Sequence, residues 1–225
     1  MTPAKHEESS LTIHFMARTP ARSAAGARTR VAPRQPRAFA MRRRLLDATT
    51  TLLAERPDGL PTTQDIADHC DVSIGTVYRY FADVGDILFD LRQEAIQQIS
   101  SDLAVGIGQA IDAEPLAAIT AVVDALTSSF ERHAPVIAAS LAGDNAEFGS
   151  AWAQIEAPLV PLGRILPTRF RPDLSPAELD DLVFLTMGAT ASLCLRVALA
   201  RPATADRRRL VDTCARMLLA AFAIP

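Results

Sequence analysis

The sequence predicts an all-α protein. Apolar residues recur at three- and four-residue spacings in segment after segment, and no stretch shows the alternation of a half-buried strand. Proline, glycine and short polar capping residues punctuate the chain at intervals suited to helices. With 225 residues and 49% hydrophobic content, the chain can bury a sizeable core as one large domain or two modest ones.

Residues 1–36 are rich in Ala, Arg, Pro, Ser and Thr without apolar period, and read as a disordered basic tail. A first helix is expected from Pro36 to Glu55, with Leu45, Ala48, Leu52 and Leu53 forming its inner stripe. Pro57, Asp58 and Gly59 end it.

Two short helices with a tight turn follow between Thr62 and Phe81. Thr63 is the expected N-cap of the first, and Ile66, Ala67 and Cys70 give it an apolar face. Asp71 is placed to take the left-handed conformation that turns the chain. Val72 plugs the angle and Ser73 caps the second helix. Val77 and Phe81, four residues apart, face inward. The outer face carries Ile74, Gly75, Thr76, Arg79 and the Tyr80 hydroxyl. It is small at its start, then cationic and hydrogen-bonding, as suits a helix entering a DNA major groove.

Asp83 is the expected cap of a fourth helix from Val84 to Val105, lined by Ile87, Leu88, Leu91, Ala95 and Ile99, with Gly106 and Gly108 breaking it. Pro115 opens a helix through Leu116, Ile119, Val122, Val123, Leu126 and Phe130 to about His133, and Pro135 a shorter one to Leu141. Gly143, Asp144 and Asn145 turn the chain. Phe148, Trp152 and Ile155 begin a helix that Pro158 and Pro161 kink or stop. Ser175, Pro176 and Glu178 have the cap, first-position proline and third-position glutamate of a helix start, with the helix running to Ala200. After Pro202, a last helix spans Thr204 to Phe222. These last two helices are apolar around much of their circumference, which demands burial on more than one side.

The order of residues from 38 to 90 resembles the tetracycline-repressor (TetR) family of regulators. The matching residues are Leu45-Leu46-Asp47-Ala48, Leu52-Leu53, Gly59, Thr62-Thr63, Asp65-Ile66-Ala67, Val72-Ser73, Gly75-Thr76-Val77-Tyr78, Tyr80-Phe81 and Ile87-Leu88. The resemblance implies a three-helix DNA-binding domain over residues 37–90, and a helical ligand-binding and dimerisation domain over residues 91–225. It implies a homodimer built as a four-helix bundle with two helices per subunit, reading a pseudo-palindrome in double-stranded DNA. The DNA-facing residues would be Thr62, Thr63 and Tyr78 on phosphates, and Ser73, Ile74, Gly75, Thr76, Arg79 and Tyr80 along the recognition helix. Three positions depart from the family pattern: Asp71 replaces the usual Gly, Val84 the usual phosphate-contacting Lys, and Gly85 the usual Glu. Arg42, Arg43 and Arg44 are the nearby candidates to replace that lost lysine.

Charge is distributed to match. The net charge is −3, yet residues 1–44 hold ten basic residues against Glu7 and Glu8, which leaves the rest of the chain strongly acidic. A basic end on an acidic body suggests that one end meets a polyanion. Cys70, Cys194 and Cys214 lack metal-ligand spacing, and fit a reduced, cytoplasmic protein. No secretory signal is evident. The longest uncharged run, Leu182 to Leu195, reads as a buried helix and not as a membrane span.

No catalytic constellation, phosphate-binding glycine loop or metal site is expected, and no cofactor. Asp180 and Asp181 are adjacent and point apart on a helix. His133, at a helix C-terminus, is placed where the dipole favours protonation. The leading functional reading is therefore a non-enzymatic, ligand-responsive regulator, most often a repressor, released from DNA by a largely apolar small molecule. Phe130, Phe148, Trp152 and Met187 are candidate wall residues of its cavity. The competing readings are an all-α enzyme or ligand carrier with an incidental helix-turn-helix, and an architectural DNA-binding protein without a ligand.

Overall fold

A computed structural model describes residues 36–56, 59–141 and 157–222. Its order is α1 (Pro36–Glu55), α2 (Thr63–His69), α3 (Ile74–Tyr80), α4 (Val84–Ala110), α5 (Pro115–Arg132), α6 (Ala134–Leu141), a single 3-10 turn (Ala157–Leu159), α7 (Val160–Gly163), α8 (Ile165–Phe170), α9 (Pro176–Ala200) and α10 (Arg207–Phe222). No strand occurs among the described residues. The expected turn at Gly143–Asn145 and the helix start at Phe148, Trp152 and Ile155 lie outside them. From Ala157 the path runs through a 3-10 turn that contains Pro158, a short helix with Pro161 in its first turn, and a second short helix.

The apolar stripes meet in one continuous core. Leu45, Leu46, Leu52 and Leu53 of α1, Ile66 and Ala67 of α2, and Val77 of α3 pack with Ile87, Leu88 and Leu91 near the start of α4. Further along α4, Ile99, Leu103 and Ile107 join Ile119, Val123 and Leu126 of α5, Cys194 and Val197 of α9, and Val211 and Leu218 of α10. One 27-residue helix, about 40 Å long at 1.5 Å per residue, thus supplies both ends of the core.

Two polar clusters lie against that core. Asp102 on α4 accepts from Ser129 Oγ at 2.6 Å, from Gln98 at 3.0 Å and from Arg132. Burial pushes the Asp102 pKa up, but these hydrogen bonds and the charge of Arg132 together take it below the usual carboxylate range. Arg207, opening α10, donates to Glu131 (3.0 and 2.9 Å), Asp124 (2.6 Å) and Ser128 (2.7 Å), so one guanidinium staples α10 along α5.

Three expectations change. The fourth helix does not stop at Val105. Gly106 is buried inside it, and a Cβ there would lie 2.9 Å from Ala125 Cβ, so the glycine lets α5 cross closely. The last helix starts at Arg207 and not at Thr204, because Asp206 caps it by accepting from the Arg209 amide at 2.8 Å. His133 is not a protonated cap. Its Nε2 is buried without a partner, and burial, then Arg132, pushes its pKa below the ordinary histidine range against the pull of Asp102.

Two of the three glycines of α4, Gly106 and Gly108, give opposite expectations. Gly108 has open space where a Cβ would go, so Gly108→Ala should raise stability by up to ~1 kcal/mol through helix propensity. Gly106→Ala gains the same propensity but must force α5 away, an overpacking cost of ~1–3 kcal/mol, so it should lower stability. Thermal melts of the two variants beside wild type check the pair; a stabilising Gly106→Ala would contradict the close crossing.

Candidate nucleic-acid interface and apolar cavity

The α2–α3 unit is held by its own caps. Thr62, and not Thr63, is the N-cap of α2. Its Oγ1 accepts from the Asp65 amide at 3.1 Å and donates to Asp65 Oδ2 at 2.6 Å, while its own amide donates to the same oxygen at 2.8 Å. Asp65 is what selects Thr62, since no carboxylate lies three residues after Thr63 to close the reciprocal bond. Arg56 adds a contact to Asp65 Oδ1 at 2.9 Å, tying the end of the first helix to the second.

The exit of α2 is a Schellman turn: the Asp71 amide reaches Asp68 O at 3.1 Å and the Val72 amide reaches Ala67 O at 3.0 Å. Asp71 takes φ 49°, the left-handed conformation anticipated for it. Ser73 then caps α3 by accepting from the Thr76 amide at 3.2 Å, and the two hydroxyls lie 3.0 Å apart. Asp83 caps α4 by accepting from the Asp86 amide at 2.9 Å.

Freed from capping, the Thr63 hydroxyl lies 3.3 Å from the Tyr78 hydroxyl, and Tyr78 is 45% exposed. The structure thus brings together two side chains fifteen positions apart that the resemblance places on phosphate. Ile74, Gly75 and Arg79 are exposed beside them, and nothing stands closer than 3.8 Å to where a Gly75 Cβ would be. Val77 and Phe81 are buried beneath. Arg79 folds onto its neighbour: its Nη2 donates to the Tyr80 hydroxyl at 3.1 Å, and its guanidinium lies 5.1 Å from the Tyr80 ring centroid. Tyr80 itself is half-buried against the core.

The three arginines before Leu45 differ from expectation. Arg42 is half-buried, paired with Asp90 of α4 and stacked 4.9 Å over the Phe81 ring. Arg43 donates to Asp47 (2.8 and 2.5 Å) and to Glu94 of α4 (2.6 Å), which raises its pKa. Arg44 alone is exposed with no carboxylate partner among the described residues. Two of the three candidates to replace the missing lysine are therefore committed to α4. A hint of this is present in the residues themselves, because Asp90 and Glu94 stand one helical turn apart. Val84 packs its side chain against the core instead of reaching outward.

In the C-terminal half, a cavity of about 70 Å³ lies between α4, α5, α7, α8, α9 and α10. Met187 lines it together with Leu103, Ile119, Leu162 and Ala191. Among the described residues its only polar side chains are Thr186 and Thr190, and Thr186 already donates to Leu182 O at 2.7 Å. Phe130 is not on this wall. It is 1% exposed and borders a smaller cavity of about 20 Å³ beside Ile99 and Ile137. Phe148 and Trp152 lie outside the described residues. No group of His, Cys, Asp or Glu among the described residues could hold a metal ion. The three cysteines are buried, and burial pushes the Cys194 thiol up to about 12, far from reactive thiolate chemistry.

Residues 45–90 match the model for bacterial regulatory proteins of the tetR family. No curated protein matches the chain. Among solved structures, the fatty acid degradation regulator FadR from Bacillus halodurans is similar at 15% identity and TM-score 0.62, covering 84% of this chain and 97% of that one. The TetR family regulator PfmR from Thermus thermophilus is similar at 18% identity and TM-score 0.56, over 78% of this chain and 94% of that one. A TetR-family regulator from Streptomyces coelicolor is similar at 23% identity and TM-score 0.55, over 81% and 97%.

The capping box makes a pH prediction. The Thr62 hydroxyl, the Thr62 amide and Arg56 together hold the Asp65 pKa at about 2. A folded-state pKa below the unfolded value, near ~3.9, contributes stability that is present above that value and lost as pH falls through about 2. Asp65→Ala should therefore melt below wild type at neutral pH, and the gap should close as the solution is acidified from about pH 4 towards pH 2. Circular-dichroism melts over that range check it; a gap independent of pH would mean that the carboxylate is not what secures the turn.

Proposed function

We infer that this chain, a TetR-family DNA-binding transcriptional regulator, works as a homodimeric repressor that a largely apolar small molecule releases from a pseudo-palindromic operator. The observation that carries the DNA half is the pairing of the Thr63 and Tyr78 hydroxyls on an exposed α3 whose entry, Ile74-Gly75-Thr76, is small and open. In this reading Thr63 and Tyr78 bind one phosphate beside the free amides at the start of α2, and Arg44 binds the DNA backbone elsewhere. Thr62 and Ser73 act through their caps. Ile74, Gly75 and Thr76 approach base edges, and Arg79 leaves the Tyr80 ring to reach a base or phosphate.

Two features support the remaining parts. Among the described residues the cavity wall carries no charge and a single hydroxyl, Thr190, not engaged with a described partner, so its fitting occupant is uncharged and apolar where it meets these walls. A fatty acyl chain is one such shape, and one fold neighbour regulates fatty acid degradation. α9 buries Val183, Thr186, Ala191, Cys194 and Val197 within the protomer but leaves Phe184 78% and Leu185 66% exposed, and α10 leaves Met217 exposed. By length and composition α9 could also cross a membrane. The reading here is that a second copy covers its outer face, as an apolar surface on two adjacent helices favours. Leu193 packs inward and so belongs to the protomer core.

Fluorescence anisotropy on the duplex upstream of the gene tests the mechanism. Arg79→Ala should cost ~1–3 kcal/mol of discrimination at one base position while helicity is kept. Dodecanoic acid, used as the apolar probe, should release wild type but not Ala191→Phe, whose new ring fills the cavity. Equal release of both would place the effector elsewhere, and wild-type affinity in Arg79→Ala would remove that residue from the interface.

The dimer has its own test. Phe184→Glu with Leu185→Glu should yield monomers by sedimentation at micromolar concentration, with secondary structure retained, since both side chains lie outside the protomer core. A wild-type protein that is already monomeric at that concentration would contradict the assembly.

A further inference from the structure

We propose that Arg42 is a positioning residue for DNA binding: it fixes the end of the recognition helix to α4 and does not bind phosphate. The proposal rests on the reading of α3 as the recognition helix. Three observations carry it. The Arg42 guanidinium lies 4.9 Å from the ring centroid of Phe81, the residue that closes α3 through its amide to Val77 O at 3.0 Å. Phe81 is 1% exposed, so the stack forms at the edge of the core and not on a loose surface ring. The same guanidinium pairs with Asp90, and Arg43 adds Glu94 one helical turn further along α4.

Arg42 therefore joins three elements at once: its own helix, the residue that caps the end of α3, and α4. Its planar group suits this double use, with an edge for the carboxylate and a face for the ring. To reach a phosphate it would have to leave both. The carboxylate of Asp90 would then stand without its partner on the side of α4 that faces α1. Any shift of α4 along its axis moves Asp90, and through Arg42 it moves Phe81 and the exit of α3. The junction is thus a direct mechanical route from the helix that lines the apolar cavity, through Leu103 and Ile107, to the reading head.

A phosphate contact and a positioning contact predict different outcomes for two conservative changes. Arg42→Lys keeps the charge and reach but loses the planar stack, and Asp90→Ala removes the carboxylate. If Arg42 positions α3, both variants should lose about tenfold in affinity for the duplex enriched by wild type from a random pool. Binding to poly(dI-dC) and the slope of log affinity against log salt should stay as in wild type. The melting temperature of Arg42→Lys should stay close to wild type, which separates positioning from a general loss of stability. If Arg42 were a phosphate contact held back by Asp90, Asp90→Ala would bind both DNAs more tightly with a steeper salt slope, and Arg42→Lys would bind as wild type. Either result overturns the proposal. A wild-type protein with no preference for any duplex over poly(dI-dC) would instead overturn the DNA-recognition reading on which it rests.

Discussion

The structure depends on α4 serving both ends of one core with a single helix. Ile87, Leu88 and Leu91 complete the small N-terminal core, whose other members come from helices of seven and twenty residues. α2 and α3 are far too short to be stable alone, and isolated helices below ~12–15 residues are marginal in water. Further along, Ile99, Leu103 and Ile107 anchor the C-terminal bundle. Backbone hydrogen bonds run unbroken between these two sets, so one continuous helix links them. Gly106 keeps the far end in close register with α5, while Arg42 and Arg43 hold the near end against α1.

This arrangement explains the distribution of charge in the first helix. An arginine-rich approach beside a DNA-binding motif suggests phosphate contacts, and the sequence alone invites that reading for Arg42, Arg43 and Arg44 equally. The two facing carboxylates, Asp90 and Glu94, alter it. Partly buried pairs of this kind contribute modestly to stability, about 1 kcal/mol or less where exposed, but they constrain orientation. Orientation is what a short recognition helix needs most. The apolar side chain of Val84, packed on the core, further turns the start of α4 towards structural work.

Much of this is legible in the residues. Helical periodicity and punctuation identify every described helix of eight or more residues, because caps such as Ser73, Asp83 and Ser175 are local and carry their own chemistry. The errors arise where the deciding partner is distant or reciprocal. Thr63 looks as good a cap as Thr62 until Asp65 is seen to bond back. Gly106 looks like a breaker because its reason, Ala125 on another helix, is nineteen positions away. Arg42 and Arg43 look free because Asp90 and Glu94 meet them only in the fold. The cavity is least legible: Met187 lines it, Phe130 does not, and its apolar walls come from six helices whose juxtaposition no local pattern encodes.

The central claim is that two copies of α3 read DNA together through a rigidly held α4. Sequencing the duplexes that the full chain enriches from a random pool tests it most directly. The account predicts an inverted repeat whose half-sites lie about one helical turn of DNA apart, roughly 10 bp or a multiple, as two-fold symmetry requires. Enrichment of a single unpaired half-site, or of no sequence at all, would contradict it.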